Sequence, residues 1–342
     1  MKFIFKAILG GLVLLTTVLV LGLSIGAYLA YGKYEQPGPL DRAALVTIPR
    51  GSSVYSISKI LLDNGVLDPS SVSPVNIFVH ASKITKQANK LKAGEYEFTP
   101  HMSMKDILNK LEKGEVFSRQ VTIREGLTNY EIKRILLQQN DLETEGAQKH
   151  PEGRLLPETY SYARGDSNAD ILTRMASAMD KALDEAWENR AEFLPIKTKE
   201  EALVLASIIE KETAVASERK KVAGVFVNRL RKGIALQSDP TVIYALTDGK
   251  PQNNGKGPLG RRLLKKDLEF DSPYNTYKYR GLPPTPIANP GKASIEAALN
   301  PEEHKYIYFV ADGSGGHAFA KTLAEHNSNV AKWRKIRRQQ KK

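Results

Sequence analysis

The segment "LVLASIIEKETAVASER", residues 203–219, contains an apolar run that ends at a carboxylate. From Ala202 to Ile209 every residue except Ser207 is apolar, and charged residues return at Glu210. A helix that is apolar on all sides belongs in a protein interior. The segment therefore predicts a central helix of a folded domain, with Glu210 at the point where the helix leaves the core.

The residues that share a helical face with Glu210 are mostly small. On a helix through 203–217 this face carries Leu203, Ala206, Ser207, Thr213, Ala214 and Ser217. Small neighbours leave space around a carboxylate, as a cleft requires. The alternative is that Glu210 leaves the core to pair with Arg219 or Lys211, and spacing alone does not decide between them. Glu212 lies about 200° further round the helix and cannot face the same substrate atom.

The sequence around this helix predicts a mixed α+β domain over residues 150–338. Helical patterns occupy 168–193, 198–212, 216–233 and 323–335. "KYIYFVAD" and "GSGGHAF", residues 305–319, predict two strands around a turn. The segment 234–292 is rich in proline, glycine and tyrosine, which favours loops and short strands.

An earlier pair of segments is repeated. "VTIPRGSSVYSISKILLDNGVL" (46–67) and "VTIREGLTNYEIKRILLQQNDL" (121–142) both predict a strand, a turn and a capped helix, with Ser53 and Thr128 as N-caps. A weaker copy has Ser103 in that place. We expect a small α+β module over 45–145 that is similar to LysM-type glycan-binding modules, or a scaffold whose repeats only build a core. The acidic stretch 140–153 is the predicted boundary.

The N-terminus predicts a membrane anchor. Residues 7–32 carry no charge and follow Lys2 and Lys6, and such a helix can cross the ~30 Å hydrocarbon layer. A cleavable signal peptide is the alternative, but its apolar core is usually about 7–15 residues long. The leading lysines place residues 1–6 in the cytoplasm and the remainder in the periplasm, on a single-pass inner-membrane protein.

Composition excludes several classes of site. The chain of 342 residues has no cysteine, which excludes disulfides and thiolate chemistry. Its net charge of +12 suits an exported domain beside an anionic membrane and wall polymer, so we expect no nucleic-acid partner. His317 and His326 fall in different predicted elements, and we find no phosphate-binding loop, so neither a metal nor a cofactor is expected.

A second catalytic acid is not evident from spacing. Glu158, Asp239 and Asp271 all lie in predicted loops, where turn and cap roles are common. If Glu210 is catalytic, a mechanism with one acid is the simplest.

Seven motifs resemble one family in their order along the chain. They are "EGRLLPETY", "ASIIEKETAVASER", "VFVNRL", "LQSDPTVIY", "SPYNTY", "GLPPTPIANPG" and "YFVADGSGGHAF". Together they resemble the YceG-like endolytic murein transglycosylases, and the likeness includes the anchor and the LysM-like region.

The resemblance implies a lyase that cuts peptidoglycan strands between N-acetylmuramic acid and N-acetylglucosamine. Glu210 would protonate the bridging oxygen and then accept the proton of the muramoyl C6 hydroxyl, which closes onto C1 as a 1,6-anhydro ring. No cofactor is implied. Five residues carry groups suited to sugar hydroxyls and acetamido groups, although core or turn roles are equally open for them: Gln237, Asp239, Tyr244, Asn275 and Tyr277.

The predicted membrane anchor indicates where this activity would take place. An enzyme that cleaves glycan and is held at the membrane encounters the strands while they are being polymerised. The resemblance therefore implies a terminase, with glycan synthases and penicillin-binding proteins as candidate partners. Two other functions stay open at this point. One is a noncatalytic anchored scaffold that binds the wall, and the other is a hydrolase that uses Glu210 with a loop acid such as Asp239.

Overall fold

A computed structural model describes residues 2–144, 149–252 and 257–339, with side chains from Leu9 onward. The chain divides into two compact units between Arg119 and Gln120. The predicted tip, 1–6, and the predicted boundary, 140–153, each lie partly outside the described residues.

The first unit begins with one long apolar helix. Helix α1 spans Lys2–Glu35, and its segment Leu9–Glu35 has a mean hydropathy of 2.3. It is longer at both ends than the predicted 7–32. A helix of this length and composition can cross a membrane, which is consistent with an anchor.

The rest of the first unit is a small α+β fold with its own core. Strands β1 (Ala44–Ile48) and β2 (Gly94–Phe98) pair antiparallel. Helices α2 (Val54–Asp63) and α3 (Pro74–Ile84) connect them, and α4 (Met104–Lys113) follows. The predicted caps are confirmed, because the hydroxyls of Ser53 and Ser103 accept from backbone N–H groups of α2 and α4. Buried residues from all of these elements form the core, among them Ile48, Leu61, Phe78, Tyr96 and Ile107.

The second repeat belongs to the second unit. Its strand β3 (Arg119–Thr122) pairs with β4 (Thr159–Tyr162), and its helix α5 (Asn129–Leu137) has the predicted Thr128 cap within a full capping box. Helix α6 (Asn168–Glu188) packs on both through Ile171 and Met175. The compact units therefore divide between Arg119 and Gln120, whereas the sequence analysis placed the boundary in the stretch 140–153.

Helix α7 (Lys199–Glu212) is the centre of the second unit. Every residue from Ala202 to Ile209 is buried, as its apolar run predicted. It packs against α8 (Arg219–Arg231) and α10 (Lys292–Leu299). Strands β5 (Tyr308–Ala311) and β6 (His317–Ala320) pair antiparallel as predicted, and α11 (Leu323–Gln339) follows.

The predicted end of the helix 198–212 is confirmed. Helix α7 ends at Glu212, because Thr213 is extended (φ −140°) and its hydroxyl accepts from the N–H of Val215. The helical face drawn through residue 217 therefore stops at Glu212. One local expectation was wrong: helix α9 (Asp239–Thr247) lies where loops and short strands were expected. Pro240 occupies its first turn, where a proline has no helical hydrogen bond to lose.

Candidate active site

Glu212, the last residue of α7, lies in a group of polar side chains that we call the Glu212 cluster: Glu212, Gln237, Ser238, Asp239 and Tyr277. Its carboxylate accepts a hydrogen bond of 2.5 Å from the Ser238 hydroxyl, and the residue is half-buried. Burial raises the pKa of Glu212 to about 7, although the Ser238 hydrogen bond opposes the rise. The charge of Asp239 adds to the rise, and the charges of His317 and Arg229 oppose it. Glu212 therefore holds its proton for much of the time at neutral pH.

Three of the five predicted glycan-contact residues lie near Glu212. Asp239 begins α9 directly after Ser238, and its carboxylate accepts a hydrogen bond of 2.6 Å from the Tyr277 hydroxyl. Gln237 precedes Ser238 and is exposed, with a left-handed backbone (φ +53°). The Glu212 cluster thus contains carboxylate, phenol and amide groups.

A buried arginine holds this backbone in place. The Arg229 guanidinium donates to the carbonyls of Ala235 and Leu236 and, at 3.4 Å, to the side-chain oxygen of Gln237. Its Nε donates to the carbonyl of Ile307 beside β5. These bonds keep Gln237 in its strained conformation and so orient the chain that leads to Ser238 and Asp239.

A histidine–glutamate pair lies beside the Glu212 cluster. The His317 ring nitrogen Nδ1 is 2.7 Å from Glu218, and the His317 backbone N–H donates to the other oxygen of that carboxylate. This pair ties the start of β6 to the segment after α7. His317 is therefore held where its charge acts on Glu212.

The other two predicted contacts have different surroundings. Asn275 is fully buried, and its amide is used inside the fold: it donates to the carbonyls of Leu268 and Phe270 and accepts from the Tyr277 N–H. The Tyr244 ring lies against the Tyr274 ring, with centroids 5.0 Å apart and planes inclined by 48°, and its side chain hydrogen-bonds Glu152. Asn275 thus positions Tyr277, and Tyr244 contacts Tyr274 and Glu152.

Glu210 faces a different side of α7. Its carboxylate accepts a hydrogen bond of 3.0 Å from the backbone N–H of Gly291, at the start of α10. Lys211, one of its two suggested ion-pair partners, donates instead to the carbonyl of Gly126. The spacing argument that Glu210 and Glu212 point apart is therefore confirmed.

Sequence reasoning missed a carboxylate beside Glu210. A Cβ on Gly291 would lie 1.7 Å from Glu125 Oε1, so Glu125 packs directly over this glycine. Burial and the charge of Glu210 both raise the pKa of Glu125. A comparison of the two repeats could have pointed to this residue, because the second copy has an acid, Glu125, where the first has Arg50.

Comparison with known proteins identifies the family. The model of the YceG-like family matches residues 46–332, which include both repeats and every residue of the Glu212 cluster. The chain belongs to the YceG-like family.

Its relatives carry consistent names. A protein of Bacillus subtilis named endolytic murein transglycosylase is 34% identical, and the match covers 91% of each chain. A protein of the same name from Streptococcus pneumoniae is 30% identical over 90% of this chain, which spans 62% of that relative. The crystal structure of a yceG-like protein from Listeria monocytogenes has 36% sequence identity and a TM-score of 0.51, over 84% of this chain and 99% of that one.

A buried polar network supports the site in this YceG-like chain. Asn289 is fully buried; its side-chain oxygen accepts from the Leu155 N–H, and its amide donates to Leu127, Asn129 and Glu152. The Asn289 carbonyl also accepts from the N–H of Gly126. The network therefore joins the turn after β3 to the loop before β4 and to the start of α10.

We expect Glu152 in this network to make stability fall as pH rises. Burial raises its pKa to about 7, against an ordinary value of 4.5. The folded state thus favours the protonated form of Glu152. As the pH rises from 4.5 to 7, the free energy of unfolding therefore falls by a contribution on the order of 3 kcal/mol. Urea unfolding at pH 5 and pH 8 should show that the free energy of unfolding falls less between these two pH values for Glu152→Gln than for the native chain.

Glu188→Gln, at an exposed glutamate near the end of α6, provides the control for that measurement. It should keep the native pH dependence. An equal pH dependence in Glu152→Gln and the native chain would show that Glu152 does not hold an extra proton in the folded state.

Proposed function

We propose that this chain is a membrane-anchored peptidoglycan lytic transglycosylase that cuts glycan strands internally and leaves 1,6-anhydro-muramoyl ends. Membership of the YceG-like family and the names of its relatives support the activity. The observation that carries the mechanism is the half-buried carboxyl group of Glu212, which accepts a hydrogen bond from Ser238 among carboxylate, phenol and amide groups suited to sugars and whose pKa burial raises to about 7.

The surroundings of the two acids favour Glu212 over Glu210 as the proton donor. A general acid works best when its pKa lies near the working pH, and burial gives Glu212 a pKa of about 7. Glu210 accepts a hydrogen bond from the Gly291 backbone N–H, on another side of α7. Glu210 is the residue that the motif match suggested, and it stays the alternative.

The reaction balances with one carboxyl group. Glu212 gives its proton to the bridging oxygen as the bond from that oxygen to muramoyl C1 breaks. The muramoyl C6 hydroxyl then bonds to C1, and its proton passes to Glu212. The acid is restored, no water is consumed, and the product carries a 1,6-anhydro ring.

The other residues of the Glu212 cluster have roles that follow from their contacts. The Asp239 charge beside Glu212 suits the positive charge that develops at C1, and Tyr277 orients Asp239 through its hydroxyl. Gln237 is exposed and offers its amide to sugar substituents. We assign Asn275 to support of Tyr277 and leave it out of the sugar contacts, because its amide is used inside the fold.

The first unit would determine where in the cell this activity takes place. We propose that α1 crosses the inner membrane with the N-terminus in the cytoplasm, and that the catalytic unit lies in the periplasm, close to glycan synthases. We further propose that the module after α1 is LysM-like and contacts glycan. The antiparallel pair β1–β2, connected through the capped helix α2, supports a separately folded module.

Mass spectrometry of peptidoglycan treated with the full chain tests the proposal. Fragments with anhydro-muramoyl ends support the lyase. Fragments with reducing muramic acid ends would contradict it and favour a hydrolase in which Asp239 assists Glu212, since these two acids interact. Intact strands, together with sedimentation of the chain with sacculi, would indicate a noncatalytic scaffold.

A further inference from the structure

A groove of about 350 Å³ lies in the first unit, between the end of α1 and helix α3, and we call it the α1–α3 groove. Most of its lining is apolar, including Ala27, Ala30 and Tyr31 of α1 and Ile77, Ala81 and Ile84 of α3. Ile84 is 81% exposed, and Tyr31 is 58% exposed. Apolar surface of this kind is unfavourable in water, so the lining favours an apolar occupant.

Helix α3 has a different character on each of three faces. One face is buried within the first unit: Pro74, Phe78 and Ser82. The next face lines the α1–α3 groove and is apolar: Ile77, Ala81 and Ile84. A row beside it, at the same helical spacing, is polar and exposed: Asn76, His80 and Lys83. An apolar face beside a basic polar row is typical of helices that lie at a membrane surface.

Contacts between α1 and the rest of the first unit hold the groove in place. Tyr34 packs on the core of the unit. The Glu35 carboxylate accepts a hydrogen bond of 2.8 Å from Lys105 in α4, and the Gly38 N–H donates to the carbonyl of His101. The groove between α1 and α3 is therefore part of the folded unit.

The length of α1 places this groove at the surface of a bilayer. The candidate span Leu9–Glu35 has 27 residues, about 40 Å at 1.5 Å per residue, whereas the hydrocarbon layer is ~30 Å thick. Its last turns therefore reach the head-group layer. Ala27 and Ala30 belong to the uncharged stretch 7–32, so one wall of the groove is part of the span itself. The acyl chains of the surrounding lipids are thus the nearest apolar material.

We infer that the α1–α3 groove binds an acyl chain of an outer-leaflet phospholipid, and that Lys83 pairs with the phosphate of that lipid. The long side chain of Lys83 is exposed and can reach a head group while α3 lies against the acyl chain. Helix α3 is then a second membrane contact, which holds the module in one orientation on the bilayer. The inference rests on the proposed anchoring of the chain by α1.

Photolabelling of the full chain in vesicles of phosphatidylethanolamine and phosphatidylglycerol tests this inference. The vesicles contain a phospholipid with a diazirine in its acyl chain, and mass spectrometry measures the label on each helix. We expect label on α1, and label on α3 at least about 10-fold above that on α2, because burial of an apolar side chain against an acyl chain supports such a preference.

Ile84→Asp should lower the label on α3 roughly 10-fold, because a carboxylate would lose its water beside an acyl chain. Ile84 is 81% exposed, so this substitution leaves the core intact. Val72→Asp is the matched control, since Val72 is 85% exposed and does not line the groove. It should keep the native label.

A second pair of variants fills the groove without adding a charge. Ala30→Phe places an aromatic ring in the groove and should also lower the label on α3, whereas Leu29→Phe, at an exposed position of α1 outside the groove, should keep it. Label on α1 without label on α3, or equal label on α3 in Ala30→Phe and the native chain, would overturn the lipid site. A cross-link from α3 to α1 of a second copy, in place of the lipid label, would also overturn it. No label on α1 would contradict the anchoring itself.

Discussion

Glu212→Gln is expected to lower the release of anhydro-ended fragments by at least about 100-fold, within the range that one general acid contributes. Glutamine keeps the size of the side chain and can still accept from the Ser238 hydroxyl, but it has no proton to give. Native activity should also fall as pH rises through about 7, where Glu212 loses its proton. Both effects are read from initial rates of fragment release.

Glu210→Gln is the matched comparison, because it removes the same charge two residues away on α7. We expect a loss of less than about 10-fold, since Glu210 interacts with the Gly291 N–H and Glu125 on another side of the helix. If Glu210→Gln abolished release and Glu212→Gln did not, the acid suggested by the motif match would be the catalytic one.

Asn289→Ala is expected to destabilise the second unit by roughly 3–5 kcal/mol, since each buried group left without its partner costs about 1–3 kcal/mol. The substitution leaves the Leu155 N–H without its partner and removes donors to Asn129 and Glu152. Urea unfolding followed by tryptophan fluorescence measures this loss, because both tryptophans, Trp187 and Trp333, lie in the second unit.

Asn189→Ala is the control for that loss. Asn189 also donates its amide to a backbone carbonyl, that of Glu185, but it is exposed at the end of α6. Water replaces an exposed hydrogen bond, so we expect a cost below about 1 kcal/mol. Equal losses in the two variants would show that the Asn289 network does not stabilise the site.

Local features of this fold could be predicted from the sequence. The caps at Ser53, Ser103 and Thr128 depend on residues within one helical turn, and the burial of α7 follows from its own apolar run. The strands β5 and β6 are adjacent in the chain, so their pairing needed only a turn.

The features that the sequence did not reveal depend on distant partners. Glu212 meets Ser238, which is 26 residues away, and Asn289 meets Leu155 at a separation of 134. Spacing places Glu210 and Glu212 on different sides of α7, but it does not say which side meets polar groups. Likewise, the second repeat resembles the first in sequence, yet β3 pairs with β4 and so lies in the second unit.

Digestion of peptidoglycan in ¹⁸O-labelled water, by the native chain beside Glu212→Gln, tests the single-acid lyase most directly. We expect the native chain to release anhydro-muramoyl ends that contain no ¹⁸O, and Glu212→Gln to release almost none. Muramoyl ends that contain ¹⁸O would show that water is the nucleophile, and unchanged release by Glu212→Gln would show that another group supplies the proton.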